Sequence, residues 1–198
     1  MPDINYVIFD LAEVLLTGIA ASGKALARQY HLPSSPLMLP IVWQFFHGEV
    51  SEDAYIDEIL RAHPQLGSRD ELKCYIRKNF TEVEGTREII LRLKELGYPL
   101  ALLSVHAEEW IVDCNNRFDH HRLFDVVAYS YLDKVSKPDH RSFNFVIGRL
   151  GARPEHCLFI DDSLPNVLAA RELGMQSIQF VTAKQLKPEL EKLLPDFK

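Results

Sequence analysis

The sequence predicts an α/β fold: a parallel sheet with a small helical unit inserted after its first strand. Three observations predict it. Short apolar, β-favouring runs recur along the chain, helical patterns lie between the later ones, and one interval near the N-terminus reads as helix throughout. Strands alternating with helices make βαβ units, and strands this apolar are expected to be covered on both faces.

Tyr6–Phe9 in "NYVIFDLAEVLLTG" is the first strand, and it delivers a bare carboxylate, Asp10, at its tip. From about Leu16 to Glu84 only helical patterns appear: one around Gly23–Tyr30, one around Leu37–Phe46 and one after Ser51. A fourth opens at "SRDE", where Ser68 and Glu71 form a capping box. This interval looks like a cap over the mouth of the sheet; an all-helical N-terminal domain is the alternative, and it would strip the first strand of its partners. The expected division is 1–15 and 85–198 as the core, with 16–84 as the cap. In "GTREIILRLKELG", Ile89, Ile90, Leu93 and Leu96 make one helical stripe that stops at Gly97. Strands follow at Leu100–Leu103 and Phe124–Tyr129. "RSFNFVIGRLG" repeats the helical stripe with Phe143, Val146, Ile147 and Leu150 before Gly151. A strand at Cys157–Ile160, the helix of "LPNVLAARELG", a last strand at Ser177–Val181 and a polar helix after Thr182 complete the chain.

Composition narrows the function classes. A chain of 198 residues, 47% hydrophobic and 25% charged, has room for one domain with a modest insertion. The net charge of −6 argues against a nucleic-acid surface. Cys74, Cys114 and Cys157 lie far apart with no CxxC spacing, as expected of reduced thiols in a cytoplasm and not of a disulfide or zinc framework. No basic region precedes the first apolar run, and no apolar segment approaches the roughly 20 residues that span a bilayer. The expectation is a cytoplasmic monomer or homodimer with neither nucleic acid nor membrane as partner.

Four places carry chemistry, each at or just past a strand end: Asp10, Ser104 in "LALLSVH", Lys137 in "DKVSKPD", and Asp161–Asp162 in "LFIDDSLPN". Ligands of open α/β sheets bind outside the carboxyl ends of the strands. If these segments converge, carboxylates 4 Å apart repel by roughly 4 kcal/mol at an effective dielectric of 20. With Glu13 nearby, Lys137 alone cannot balance them. A divalent cation can, and Mg2+ suits an all-oxygen set completed by water and phosphate. Zinc finds no His/Cys spacing. Plainer roles exist for the same residues. Asp161, Asp162 and Ser163 can cap a helix, as can Ser104; Lys137 can be a solvated loop lysine. His106 reads as solvent-facing, or else as a proton donor. His120–His121 reads as a polar turn, and Trp43, Phe45 and Phe46 as core, with one of them free to face the mouth.

These motifs carry a resemblance. "VIFDLAEVL", "LLS", "SKPD" and "FIDDSLPN" resemble, in order and spacing, the four motifs of the haloacid dehalogenase-like (HAD) superfamily. The helical interval stands where that family keeps its small C1-type cap on a Rossmann-like core. "HGEVSEDAY" and the stretch from "KPDHRSF" to "ARELGM" resemble the FDLGNV-type branch, which includes α-D-glucose-1-phosphate phosphatases. The resemblance implies that Asp10 is a nucleophile forming an aspartyl-phosphate, and that Ser104 and the Val105 N–H hold phosphoryl oxygens. It implies that Lys137 offsets charge on Asp10 and the phosphoryl group, and that Asn166 steadies the loop. Asp10, the Ala12 carbonyl, Asp162 and Asp161 (directly or through water) would hold Mg2+.

Three positions depart from the pattern. Most HAD phosphatases carry a second Asp at the place of Ala12 as general acid and base, a role typically worth about 10²–10⁴-fold. The FDLGNV branch has Gly there, and phosphonatases have Ala together with a cap lysine, for which Lys24 is a weak counterpart. Glu13 and Val105 stand where Asn is usual. The implied activity is a Mg2+-dependent phosphatase of a small phosphorylated metabolite, with sugar phosphates among the candidates. The alternatives are a weak or silent phospholigand- or partner-binding member and a 2-haloacid dehalogenase; against the latter stand the doubled acid and the missing "SN" at Ser104–Val105.

Overall fold

A computed structural model describes residues 3–197. Five strands form one all-parallel sheet in the order β3-β2-β1-β4-β5: β1 (Tyr6–Phe9), β2 (Leu100–Ser104), β3 (Val126–Tyr129), β4 (Cys157–Asp161) and β5 (Gln176–Gln179). The chain moves outward from β1 to β3, then crosses back to place β4 on the other side of β1. Strand order therefore reverses between β1 and β4, which makes their carboxyl ends the place where such sheets bind ligands.

Alternation along the strands builds two cores. Val7, Phe9, Leu102 and Ile160 pack on one face against α5 (Thr86–Glu95), α6 (Glu108–Phe118) and α10 (Ala183–Leu193). Ile8, Ala101, Leu103 and Phe159 pack on the other against α8 (His140–Leu150) and α9 (Leu164–Glu172). Both faces are covered, as strands without a polar side require.

Between β1 and α5 the chain forms α1 (Ile19–Gln29), α2 (Ile41–Phe46), α3 (Glu52–Ala62) and α4 (Arg69–Lys78). The capping box of α4 is present, with Ser68 Oγ accepting from the Glu71 N–H and Glu71 reaching back to the Ser68 N–H. Where the chain enters and leaves this segment, the two passages are stitched together. The Val83 N–H donates to Leu15 O at 2.9 Å, the Thr17 N–H to Thr81 O at 2.8 Å, and the Thr81 N–H to Thr17 Oγ1 at 2.9 Å.

Several boundaries differ from the sequence reading. α1 begins at Ile19, not Gly23; Gly23 is buried inside the helix, where an added Cβ would lie 1.9 Å from Ser35 Oγ. α2 begins only after Pro40, because a residue preceding proline is held out of the helical region. β5 runs Gln176–Gln179 because its register is set by β4, with Leu158 opposite Gln176. The short α7 (Ser130–Asp133) had no periodic signature in the sequence; α6, the helix expected after Ser104, buries Trp110, Ile111 and Cys114. No helix among the described residues is long and apolar enough to cross a membrane.

Candidate active site

Register brings the acids together. Phe9 lies opposite Ile160 in the parallel β1–β4 pair, so the next residues, Asp10 and Asp161, stand side by side at the strand ends. Asp162 follows, and the three residues each offer an oxygen within 4.8 Å of the others. Lys137 enters from the loop before α8, on a cis peptide to Pro138. Its buried ammonium sits 2.9 Å from Asp10 Oδ1 and 2.6 Å from Asp161 Oδ2. Burial pushes the Lys137 ammonium down, but the two acids outweigh it and hold its pKa above the usual lysine value.

The acids differ in how they are held. Asp161, fully buried, has both oxygens engaged: Oδ1 by the Ser163 N–H at 2.8 Å, Oδ2 by Lys137, and both by the Asn166 amide. Asp161 thus ties together the loop that opens α9. Asp10 is held through one oxygen, Oδ1, by Lys137 and by the Leu11 N–H at 2.6 Å. Burial raises its carboxyl to about 7, with Lys137 opposing and Asp161 adding to the rise. Asp162 is half-buried and also raised, by burial first and then by Asp161. Two raised carboxyls beside a third acid describe a site with more negative charge than its one ammonium can neutralise. Its donors are all oxygens, which fits a hard dication such as Mg2+ with Asp10 and Asp162 as the carboxylates still free to bind it.

Ser104, at the end of β2, is 1% exposed, and its Oγ has no hydrogen-bond partner. It does not cap α6, whose N-terminus at Ala107 lacks a side-chain cap. An orphaned buried hydroxyl is rare unless something outside the chain satisfies it. Val105 and Ala12 line the cavity in front of Asp10. Glu13 adopts φ 60°, a left-handed conformation that Asn accepts far more readily than Glu, and its carboxylate accepts from the Gly18 N–H at 3.0 Å. Gly18 leaves the room this needs: a Cβ there would lie 3.0 Å from the same oxygen.

Two sequence expectations need correction. His106 is buried, not solvent-facing. Its Nδ1 accepts from the Ala107 N–H, and burial holds its pKa down at about 4, so at neutral pH it has no acidic imidazolium proton to give. His120 and His121 are no polar turn: His120 is fully buried, and both rings bond to the Tyr129 hydroxyl. Lys137 is buried, as its placement in the site requires and the plainer solvated role does not allow, because the two acids compensate its charge. Lys24 is exposed on α1 and does not line the cavity in front of Asp10, although it borders a neighbouring hollow with Glu13, Ala20 and Asp162. The sequence reading also missed Trp110, which lies on the core helix α6 yet lines that cavity beside Phe46 and the half-exposed Trp43.

Comparison with known proteins gives one family and a set of remote relatives. The family model for haloacid dehalogenase-like hydrolases matches residues 4–174. "Flavin mononucleotide hydrolase 1" of Arabidopsis thaliana is 28% identical over 78% of this chain and 62% of its own length. "Phosphorylated carbohydrates phosphatase" of Thermotoga maritima is 28% identical over 55% of this chain and 50% of its own. "Acyl-CoA dehydrogenase family member 10" of Mus musculus is 25% identical over 95% of this chain, which spans only 19% of the mouse protein. A HAD family enzyme of Bacteroides thetaiotaomicron, crystallised with magnesium and inorganic phosphate, superimposes with a TM-score of 0.74 over 90% of this chain and 95% of its own, at 24% identity.

Proposed function

This chain belongs to the haloacid dehalogenase-like hydrolase family, and we propose that within it the protein is a Mg2+-dependent phosphatase of a small phosphorylated metabolite. The observation that carries the proposal is the buried Asp10–Lys137–Asp161 cluster, negative charge awaiting a cation, together with an unsatisfied Ser104 hydroxyl at the end of the β2 strand next to β1. The phosphatases named among the relatives support the same reading.

Asp10 is the nucleophile. Because Lys137 and the Leu11 N–H both hold Oδ1, Oδ2 is the oxygen that attacks phosphorus. The P–O bond to Asp10 forms as the bond to the leaving oxygen breaks, and water then attacks the phosphoryl-aspartate, releasing phosphate and restoring the carboxylate. Lys137 opposes the rise that burial imposes on Asp10 and screens it from the incoming anion. Ser104 Oγ and the Val105 N–H take phosphoryl oxygens. Asp161, saturated by Ser163, Asn166 and Lys137, fixes the loop and touches the cation only through water. Asp10, the Ala12 carbonyl and Asp162 would hold Mg2+, which supplies the positive charge that lets two anions meet.

Residues 16–84 serve as the cap, closing the cavity over the substrate. Phosphate release from a panel of phosphate monoesters, with and without Mg2+, tests the reading. Turnover that requires the metal and disappears in Asp10→Asn is expected; saturable metabolite binding by metal-replete protein without turnover would favour a silent binding member instead.

A further inference from the structure

We infer that the substrate's leaving group is flat and apolar, an aryl phosphate monoester and not a sugar phosphate; this rests on the phosphatase reading above. The cavity in front of Asp10 has a volume of about 500 Å³, the range of small-molecule sites. Apart from the Trp43 and Trp110 indoles, its polar side chains, Asp10, Glu13, His106, Lys137, Asp162, Ser163 and Asn166, all come from outside the helical segment. The helical segment contributes Gly18, Ile19, Ala20, Met38, Trp43 and Phe46, and among these no charge, hydroxyl or amide side chain. A sugar's hydroxyls would be stripped of water against that wall with at most the Trp43 indole N–H to pair them, a penalty with little return.

The wall is also shaped for a ring. Trp43 and Phe46 meet edge to face with centroids 6.1 Å apart, and Phe46 meets Trp110 the same way at 6.0 Å. Trp110 cannot swing away, because its indole N–H donates to Glu52 Oε1 at 2.8 Å. Met38 and Trp43 are 47% and 50% exposed, large apolar groups left half-bare at the cavity rim. An added aromatic ring extends such an edge-to-face series, and a thioether is a favourable neighbour for it.

The chemistry at the other end agrees. Position 12 is Ala, so nothing there protonates the departing oxygen, and the buried His106 ring has its Nδ1 occupied by Ala107. When Asp10 attacks, the electron pair of the breaking P–O bond leaves on that oxygen with no acid at position 12 to protonate it. A phenolic oxygen, with a pKa of about 10, carries it far better than an aliphatic one, whose pKa lies near that of water, about 15.7. An aryloxide therefore leaves unassisted and takes its proton from solvent.

Both tryptophans of the chain line this cavity, so intrinsic fluorescence reports its occupancy. The test compares kcat/KM for 2-naphthyl phosphate, acetyl phosphate and glucose 6-phosphate, then repeats the first two with Trp43→Ala. Naphthyl phosphate is expected to exceed glucose 6-phosphate by 100-fold or more, and Trp43→Ala to cost roughly tenfold more on naphthyl than on acetyl phosphate. Equal or better turnover of glucose 6-phosphate, or equal losses on both substrates, overturns the inference and leaves the phosphatase reading standing. If nothing is hydrolysed, the phosphatase reading fails. Asp10→Asn protein titrated with naphthyl phosphate then decides the site by itself. Saturating tryptophan quenching that glucose 6-phosphate and inorganic phosphate do not produce supports it, and no saturating change overturns it.

Discussion

Asp10→Asn should abolish turnover and yet make the metal-free protein more stable. Burial holds the Asp10 carboxyl near 7 where an unfolded chain would hold it at 3.8. Each tenfold change in proton affinity corresponds to about 1.4 kcal/mol. Ionised Asp10 therefore weighs against the metal-free fold by up to about 4 kcal/mol relative to its protonated form, which Asn imitates. The sign follows from linkage: between 3.8 and 7 the folded state binds the extra proton, so stability falls as pH rises through that window. The variant's advantage is then absent near pH 4 and complete above pH 7. Urea denaturation of both proteins in chelator at pH 5, 6, 7 and 8 reads it as a widening gap between midpoints. Saturating Mg2+ should narrow the gap at pH 8 by stabilising wild type through its carboxylate. A gap that does not change with pH, or a variant less stable than wild type at pH 8, would refute the argument that Asp10 is held against its own solvation.

Metal binding should displace a proton: burial raises the Asp10 carboxyl, so the metal-free site holds protons near neutral pH, calorimetric heats of Mg2+ binding should differ between buffers of different ionisation enthalpy, and Asp162→Ala should remove the binding heat. Acid should destabilise the fold through its buried histidines. Unfolded histidines take up protons below 6.5, whereas burial holds His106 and His120 down to about 4 and about 3, so each ring costs about 2 kcal/mol of stability by pH 5. That loss is read most cleanly in the Asp10→Asn background, where the opposing carboxyl is gone; an unchanged urea midpoint between pH 7 and 5 would contradict it. Glu52 is buried and accepts from the Trp110 indole, from Arg77 at 2.5 Å and from Lys73 at 3.4 Å. Glu52→Ala should cost about 3–5 kcal/mol in urea denaturation, and Glu52→Gln distinctly less because the indole keeps its acceptor; equal costs would exclude a hydrogen-bonding role.

The alternation of apolar runs with helical stripes, the capping box at Ser68 and the glycine stops at Gly97, Gly151 and Gly174 were legible in the sequence because each is a local preference of a few neighbouring residues. So were the four strand-end motifs, since a charge at the tip of an apolar run stands out wherever the chain later goes. Tertiary structure alone decided what those motifs do to one another. The register of Phe9 against Ile160 sets Asp10 beside Asp161, and two acids closing on Lys137 turn an apparent loop lysine into a buried one. His106, polar by its letter, is buried by Phe46, Phe80 and Trp110, which come from three separate stretches of chain. The meeting of Trp110 with Trp43 and Phe46 on one wall also had no trace in sequence spacing. Local pattern encodes which residues prefer which backbone, whereas burial and pKa depend on neighbours that are distant in sequence, and only the closed fold supplies them.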